Sequence, residues 1–507
     1  MNLVSGYLLG LDIGSSSVKA SLVSIATGQT VASCQSPADE MQMIAIQPGW
    51  AEQDPNLWWD NVVKSTKACL QKSGVKPEAV LAIGVAYQMH GLVIVDRELT
   101  PLRHSIIWCD SRAVHIGEKA FSDLEKHYCL RHFLNSPGNF TASKLNWVKI
   151  NEPKTYEKIF KAMLPGDFIA MKMTGEITTT ETGLSEGIFW DFEEKSVSTK
   201  LLGYYGIDSS LLAKAVPVFS KQGELSKTAA SELGLASGTP IAYRAGDQPN
   251  NAFSLSVLNP GEAAATAGTS GVVYSITDKN VFDTESRVNS FIHVNNEENA
   301  TRNGVLLCVN GTGIQNSWLR KNISNGVPRD YEEMNKTASK APIGSKGVTV
   351  LPFGNGAERI LGNKEIQSSI HGLDFNTHDQ SHIFRAAQEG IVFAMRYGFD
   401  ILAEMGLKTD VIKAGNANMF LSPIFREAFV NTLGARLELY DTDGAKGAAL
   451  GAGVGAGIYS SYKEAFKGLK LIGCEEPKDN KAELYSSAYS RWKKILTDTL
   501  QKENGKE

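Results

Sequence analysis

Cysteine is scarce. Six occur in 507 residues: Cys34, Cys69, Cys109, Cys129, Cys308 and Cys474. None forms a C-x-x-C pair or a zinc-ligand spacing, which argues against a zinc or dithiol module. A chain this long does not need disulfides to build a core, so reduced, mostly buried thiols and a cytoplasmic setting are expected. Neither charge dominates: 51 Lys+Arg stand against 55 Asp+Glu, a formal net charge of −4. A nucleic-acid binder normally shows a basic excess. No basic residue precedes Lys19, so the start lacks the positive region of a signal peptide. The longest apolar run, Ala79 to Val95, is broken by Gln88 and His90 and falls short of a membrane helix. It reads instead as two buried strands joined by a polar loop. No G-x-x-x-x-G-K-[ST] motif is present, and no G-x-G-x-x-G follows the first strand. The run Gly451 to Gly457 looks like the latter, but it continues a helical stretch of small residues, Ala445–Leu450, and reads as close helix packing. There is also no Pro- or Ser-rich linker.

What is present describes an α/β protein. Hydrophobic residues make up 42% of the chain, with 47 glycines besides. At roughly 100–200 residues per domain, two large domains are the simplest division. Tyr7–Leu11 and Val18–Ile25 flank the turn Gly14-Ser15-Ser16-Ser17 and predict a hairpin. Asp54 to Lys72 predicts an amphipathic helix, with Asp54 as N-cap and Pro55 at the first turn. Val80–Ala86 and Leu92–Asp96 predict strands around the loop Tyr87–Gly91. Half a chain later, Ala263 to Ile276 repeats the strand, glycine-hydroxyl turn, strand pattern around Gly268-Thr269-Ser270-Gly271. One such hairpin opening each half suggests internal duplication. The boundary is placed near Phe253–Pro260, giving domains 1–253 and 254–507. The charged end, from about Glu475, predicts a surface helix over Tyr485–Leu500 with a frayed terminus.

Several segments carry chemistry. In Asp12-Ile13-Gly14-Ser15-Ser16-Ser17-Val18-Lys19, backbone N–H groups and hydroxyls can cradle phosphate oxygens. Lys19 adds positive charge, and Asp12 could hold a magnesium ion through water. The plainer reading is a polar hairpin with an exposed lysine. Gly268-Thr269-Ser270-Gly271 offers the same turn without an acid. Gly246-Asp247-Gln248-Pro249-Asn250-Asn251 follows a strand, so Asp247 stands where open α/β sheets bind ligands and could act as general base. Capping of the next helix is the commoner use of such an Asp. His90, in its loop, could donate to a sugar hydroxyl. Asp110 and Arg112 close another strand, and a local ion pair is the alternative there.

These pieces, in this order, resemble the FGGY carbohydrate kinases of the actin, hexokinase and heat-shock ATPase superfamily, and among them the xylulose kinases. The resemblance covers nearly the whole chain. Leu11–Lys19 is similar to the family's first phosphate hairpin, and Trp50–Pro55 with Trp58-Trp59 to its W-x-E-Q-D-P…WW segment. Gln88-Met89-His90-Gly91 resembles the ketose loop, the most specific match, since glycerol kinases carry an Arg-Glu pair there. Trp108–Arg112, Leu164–Phe168, Met173–Glu176, Gly246-Asp247, Gly268–Ser270, Leu351–Phe353 and Glu358-Arg359 continue it, and Ala414–Asn418 stands at the adenosine motif. Three positions depart from the pattern: Ser15 for a threonine, Gln248–Asn251 for the run N-A-A-G, and Asn416 for a glycine.

The resemblance implies two ribonuclease-H-like α/β domains around a central cleft. It implies ATP-dependent phosphorylation of a ketose, D-xylulose before ribulose, sedoheptulose or glycerol. An actin-like nucleotide switch is the rival class, and the sugar loop speaks against it. Met89, His90, Asp110 and Gln248 are implied as sugar ligands and Asp247 as the base. Ser15, Ser16, Lys19, Gly268, Thr269, Gly311, Gly415 and Asn418 are implied as ATP ligands. Asp12 is implied to assist catalysis and hold Mg2+. The partners implied are a sugar and ATP, not nucleic acid or membrane, and a homodimer is compatible with the family.

Overall fold

A computed structural model describes residues 6–323 and 330–504. The first hairpin forms as the sequence predicts: Tyr7–Ile13 and Val18–Ser24 pair antiparallel, from Tyr7 opposite Ser24 to Ile13 opposite Val18. It joins a six-stranded sheet in the order Phe219–Glu224, Pro240–Gly246, Val80–Tyr87, Tyr7–Ile13, Val18–Ser24, Thr30–Ser36. The three inner neighbours, Pro240–Gly246, Val80–Tyr87 and Tyr7–Ile13, run parallel. Buried parallel strands read as near-continuous apolar runs. That is why Val80–Tyr87 looks like half of a longer hydrophobic stretch.

Helix Pro55–Ser73 covers one side of this sheet. Asp54 accepts from the Asn56 N–H at 2.9 Å as N-cap, and left-handed Gly74 ends the helix. On another face lies helix Gly444–Gly455. A Cβ at Gly10 would run into the Ala445 carbonyl oxygen, and one at Gly84 into that of Ala448. The Gly/Ala run therefore does serve close helix packing, as the sequence reading has it, and the partner is a pair of strands.

The second sheet contains, in order, Asn303–Val309, Gly271–Thr277, Glu262–Ala267, Val411–Gly415, Arg436–Tyr440 and Leu471–Glu475. Glu262–Ala267 and Gly271–Thr277 form the second hairpin, and Glu262–Ala267 runs parallel to Val411–Gly415. Each sheet thus pairs the first strand of a hairpin in parallel with a later strand, as duplication would produce.

The chain divides into two compact units, though not at a single point. The first holds the chain up to Leu258 together with Ser290–Gly304 and Thr442–Leu469; the second holds Asn259–Asn289, Val305–Asp441 and the residues from Lys470. The division into 1–253 and 254–507 thus differs from the structure in two segments that return to the first unit. Helix Gly444–Gly455 returns because only its small residues allow that close approach to the first sheet.

The C-terminal helix forms at the surface as expected but is longer than the pattern suggests, Asp479–Asn504, and it turns one face inward: Tyr485, Ala488, Trp492 and Leu496 are buried in the second unit's core while most of its other residues are exposed. The Trp492 indole donates to the Val350 carbonyl at 2.9 Å. All six cysteines are free, but only Cys69 and Cys129 are buried, while Cys109 and Cys474 are exposed. Among the described residues, no helix is long and apolar enough to cross a membrane.

Candidate active site

Strand Pro240–Gly246 delivers Asp247 to the first turn of helix Asp247–Ser254, with Gly246 at the cap position. Asp247 therefore does not serve as the N-cap. Its carboxylate receives main- and side-chain hydrogen bonds from Gln248. Burial, followed by repulsion from Asp12, nevertheless raises its pKa from 3.8 to about 7. Asp12, near the end of Tyr7–Ile13, is raised to about 6 by burial and then by Asp443, with Lys19 pulling the other way. Two carboxyls that repel each other near a helix N-terminus are poised to titrate close to neutrality.

Asp443 and Gly444 belong to this group, and the sequence reading missed both. Asp443 caps helix Gly444–Gly455 through the Lys446 N–H at 2.8 Å and pairs with Lys19 at 2.5 Å. A Cβ on Gly444 would strike the Asp12 carboxylate. Asn250, from the departing run after Asp247, donates to the Gly444 carbonyl at 2.9 Å. An Asp followed by Gly and a small-residue run was the available signal, but nothing in the sequence said which strand it meets. The Lys19 charge, assigned to phosphate from sequence, is shared with Asp443.

The first turn is tight, with the Gly14 N–H donating to the Ser17 carbonyl at 3.0 Å. Its Ser15 carbonyl accepts from Gln53 at 2.6 Å and its Ser16 carbonyl from the Met41 N–H at 2.8 Å. Ser16 is exposed.

The loop after Val80–Tyr87 places His90 against Phe140 and Phe291, with ring centroids 4.8 and 5.3 Å away. Its Nδ1 lies 2.9 Å from the Glu186 carbonyl oxygen. A carbonyl only accepts, so Nδ1 carries the proton and Nε2 of the neutral ring is an acceptor. Toward a sugar hydroxyl Nε2 accepts in the neutral ring and donates, as the sequence reading assigns, in the charged ring. Met89 is buried against Gly246. Glu186 is buried beside Gly246 as well, and its pKa is raised by burial, then by Asp247 and Asp167.

Asp110 is fully buried, and Arg112 engages both of its oxygens, Nε at 2.9 Å and Nη2 at 2.7 Å. The Ala51 N–H adds a bond at 2.6 Å, and the Arg112 guanidinium lies 3.8 Å from the Trp50 ring centroid. This is the ion pair of the plainer reading, extended into the Trp50–Glu52 segment.

In the second unit, the Gly268 and Thr269 carbonyls accept from the Gly313 and Ile314 N–H groups at 2.9 and 3.2 Å. Thr269 is exposed. A Cβ on Gly268 would touch the Asn418 amide at 3.5 Å, so these two predicted ATP ligands adjoin. Gly415 ends strand Val411–Gly415, and Asn418 has a left-handed φ of 54°. Gly311 is held differently. Its N–H donates to Glu358 at 3.2 Å, and a Cβ would strike the Pro352 carbonyl. Glu358 also accepts from the Asn310 N–H at 3.0 Å, and burial raises its pKa to about 7.

Two sheet-bearing units, each opened by a glycine-hydroxyl hairpin, define the actin/hexokinase-like class. The pattern of the FGGY family of carbohydrate kinases matches with its N-terminal domain over residues 7–254 and its C-terminal domain over residues 263–458. The chain belongs to the FGGY family of carbohydrate kinases and is an ATP-dependent sugar kinase. It is 26% identical over 505 residues to the xylulose kinase of Bacillus subtilis, covering 97% of each chain. Its fold is similar to the xylulose kinase of Rhodospirillum rubrum, with TM-score 0.85, 23% identity, and 97% and 98% of the two chains covered. It is as similar to the gluconate kinase of Lactobacillus acidophilus, with TM-score 0.87, 22% identity and 98% of both chains covered.

Proposed function

We propose that the protein transfers the γ-phosphoryl group of ATP to a hydroxyl of a ketose, D-xylulose first, with Asp247 as general base. The carrying observation is the Asp247 carboxyl at the end of Pro240–Gly246, with its pKa at about 7 beside Asp12. A base poised near the working pH combines a large ionised fraction with real proton affinity. As the hydroxyl attacks, Asp247 takes its proton. Gln248 holds the carboxylate in place, and His90 Nε2 accepts from a neighbouring hydroxyl of the sugar.

Phosphoryl transfer asks mainly for positioning and charge neutralisation. The Ser15-Ser16 turn with Lys19 serves the phosphates on one unit, and Gly268, Thr269, Gly415 and Asn418 serve ATP on the other. The hard, mutually repelling oxygens of Asp12 and Asp247 fit a magnesium ion, which Asp12 would hold through water. When bound, that ion neutralises phosphate charge.

The Gln88–Gly91 loop and the xylulose kinase relatives support D-xylulose; the Gln248–Asn251 departure lies beside the base and keeps other ketoses and polyols in the test. Six free cysteines favour a reducing compartment such as the cytoplasm. ADP release is measured across D-xylulose, ribulose, sedoheptulose, glycerol and gluconate at fixed ATP. The reading expects the highest kcat/KM with D-xylulose. A polyol or gluconate preferred tenfold or more would refute the substrate (roughly 1.4 kcal/mol of discrimination).

A further inference from the structure

His90 has φ 62°, in the left-handed region that a side chain with a Cβ disfavours. Such backbone persists where neighbours over-determine it, and it clusters at functional sites. Several ties hold this one, among them the following. Its Nδ1 binds the Glu186 carbonyl at 2.9 Å, its ring is walled by Phe140 and Phe291, and its own carbonyl accepts from Lys144 Nζ at 2.9 Å. Lys144 stands on helix Thr141–Asn151 and is fully buried. The same ammonium donates to the Ile107 carbonyl, also at 2.9 Å. It therefore ties the sugar loop to the Ile107–Arg112 segment, where Asp110 and Arg112 are already locked together.

A buried ammonium is costly unless it is hydrogen-bonded, and a methionine would fill similar space without that cost. Burial brings the Lys144 pKa down to about 7, opposed by Asp110 and Cys109 and reinforced by Arg112. Nothing in the phosphoryl-transfer chemistry uses this lysine directly. We propose that Lys144 is a positioning residue whose Nζ, by donating to the His90 and Ile107 carbonyls, holds His90 in its left-handed conformation, so that the imidazole meets the sugar. The inference rests on the reading of His90 as a sugar contact.

The test uses the full chain and Lys144→Met. In the kinetics, KM for the sugar turned over best rises about tenfold or more, while kcat and KM for ATP stay within about threefold. In a His90→Ala background the same change moves sugar KM by less than about twofold, because the group through which Lys144 acts is gone. An equal rise in both backgrounds overturns the proposal. A crystal structure of Lys144→Met gives a readout independent of activity. His90 is expected at negative φ, with its hydrogen bond to the Glu186 carbonyl broken, and an unchanged His90 overturns the proposal. If Lys144→Met does not fold, Lys144→Arg keeps charge and donors. That variant should hold His90 and sugar KM within about threefold, and a larger rise with both carbonyl bonds kept overturns the proposal. Absence of sugar turnover by the wild type on every substrate overturns the function reading instead, and the crystal structure then decides the role of Lys144 alone.

Discussion

Replacing Asp247 by asparagine separates the chemistry from the fold. The amide keeps the shape and can still meet Gln248, but it cannot take a proton. General-base catalysis contributes about 10²–10⁴-fold, so kcat should fall by that factor with sugar and ATP saturating. The structure adds a pH signature. With the Asp247 pKa at about 7, wild-type kcat/KM should fall roughly tenfold per pH unit below 7, as the carboxylate is protonated. In Asp247→Asn that limb should vanish, leaving at most a weaker one from Asp12 near 6.

Stability should move the other way. Between pH 3.8 and about 7 the folded carboxyl keeps a proton that the unfolded chain has released. Stability from this group therefore falls as pH rises through that window, and the cost is complete above 7. Asparagine removes it, so at pH 8 the variant should be at least as stable as wild type, by at most about 4 kcal/mol. The assay is coupled ADP release from pH 5.5 to 8.5, with thermal melts at each pH. Turnover within a few-fold of wild type, or an unchanged acid limb in the variant, would falsify the assignment. Loss of activity with a lowered melting temperature at pH 8 would point to a structural role instead.

Other tests reach different parts of the molecule. His90→Ala should lower kcat/KM for the sugar about 5- to 150-fold through an unmet hydroxyl, leaving sugar-independent ADP release unchanged; a parallel fall in both rates with a lower melting temperature would refute a direct role in sugar binding. Gly84→Ala places a methyl against the Ala448 carbonyl and should destabilise by about 1–3 kcal/mol or more, read as a lower urea midpoint with an unchanged slope. Glu358→Ala strips the partner from the Asn310 and Gly311 N–H groups and should cost about 1–3 kcal/mol with a raised KM for ATP. A wild-type midpoint and KM would remove Glu358 from the nucleotide side. Asp443→Asn breaks a half-exposed pair with Lys19 and should change stability by less than about 1 kcal/mol. The same change should lower the acid limb belonging to Asp12, because Asp443 raises that pKa.

Local pattern was enough for much of this protein. Both hairpins, the capped helix from Pro55, the two buried strands around the Gln88–Gly91 loop and the strand before Asp247 were legible, because period, turn glycines and caps act over a few residues. The motif order then pointed to the family. Asp247 and His90 were named from their places at strand ends. Their states were not legible: a raised carboxyl pKa and a proton on Nδ1 depend on neighbours such as Asp12 and the Glu186 carbonyl, brought close only by folding.

The sequence by itself determined the class of each element and the identity of the chemical groups, since both follow from short-range sterics and residue type. Tertiary structure decided which distant segments complete a site. It returned Gly444–Gly455 to the first sheet because only small side chains allow a helix that near to Gly10 and Gly84. It turned Tyr485 and Trp492, on one face of the C-terminal surface helix, into the second unit's core. It also placed Lys144 beneath His90. Contacts of this kind are set by packing and desolvation between residues far apart in the chain, for which local pattern carries no signal.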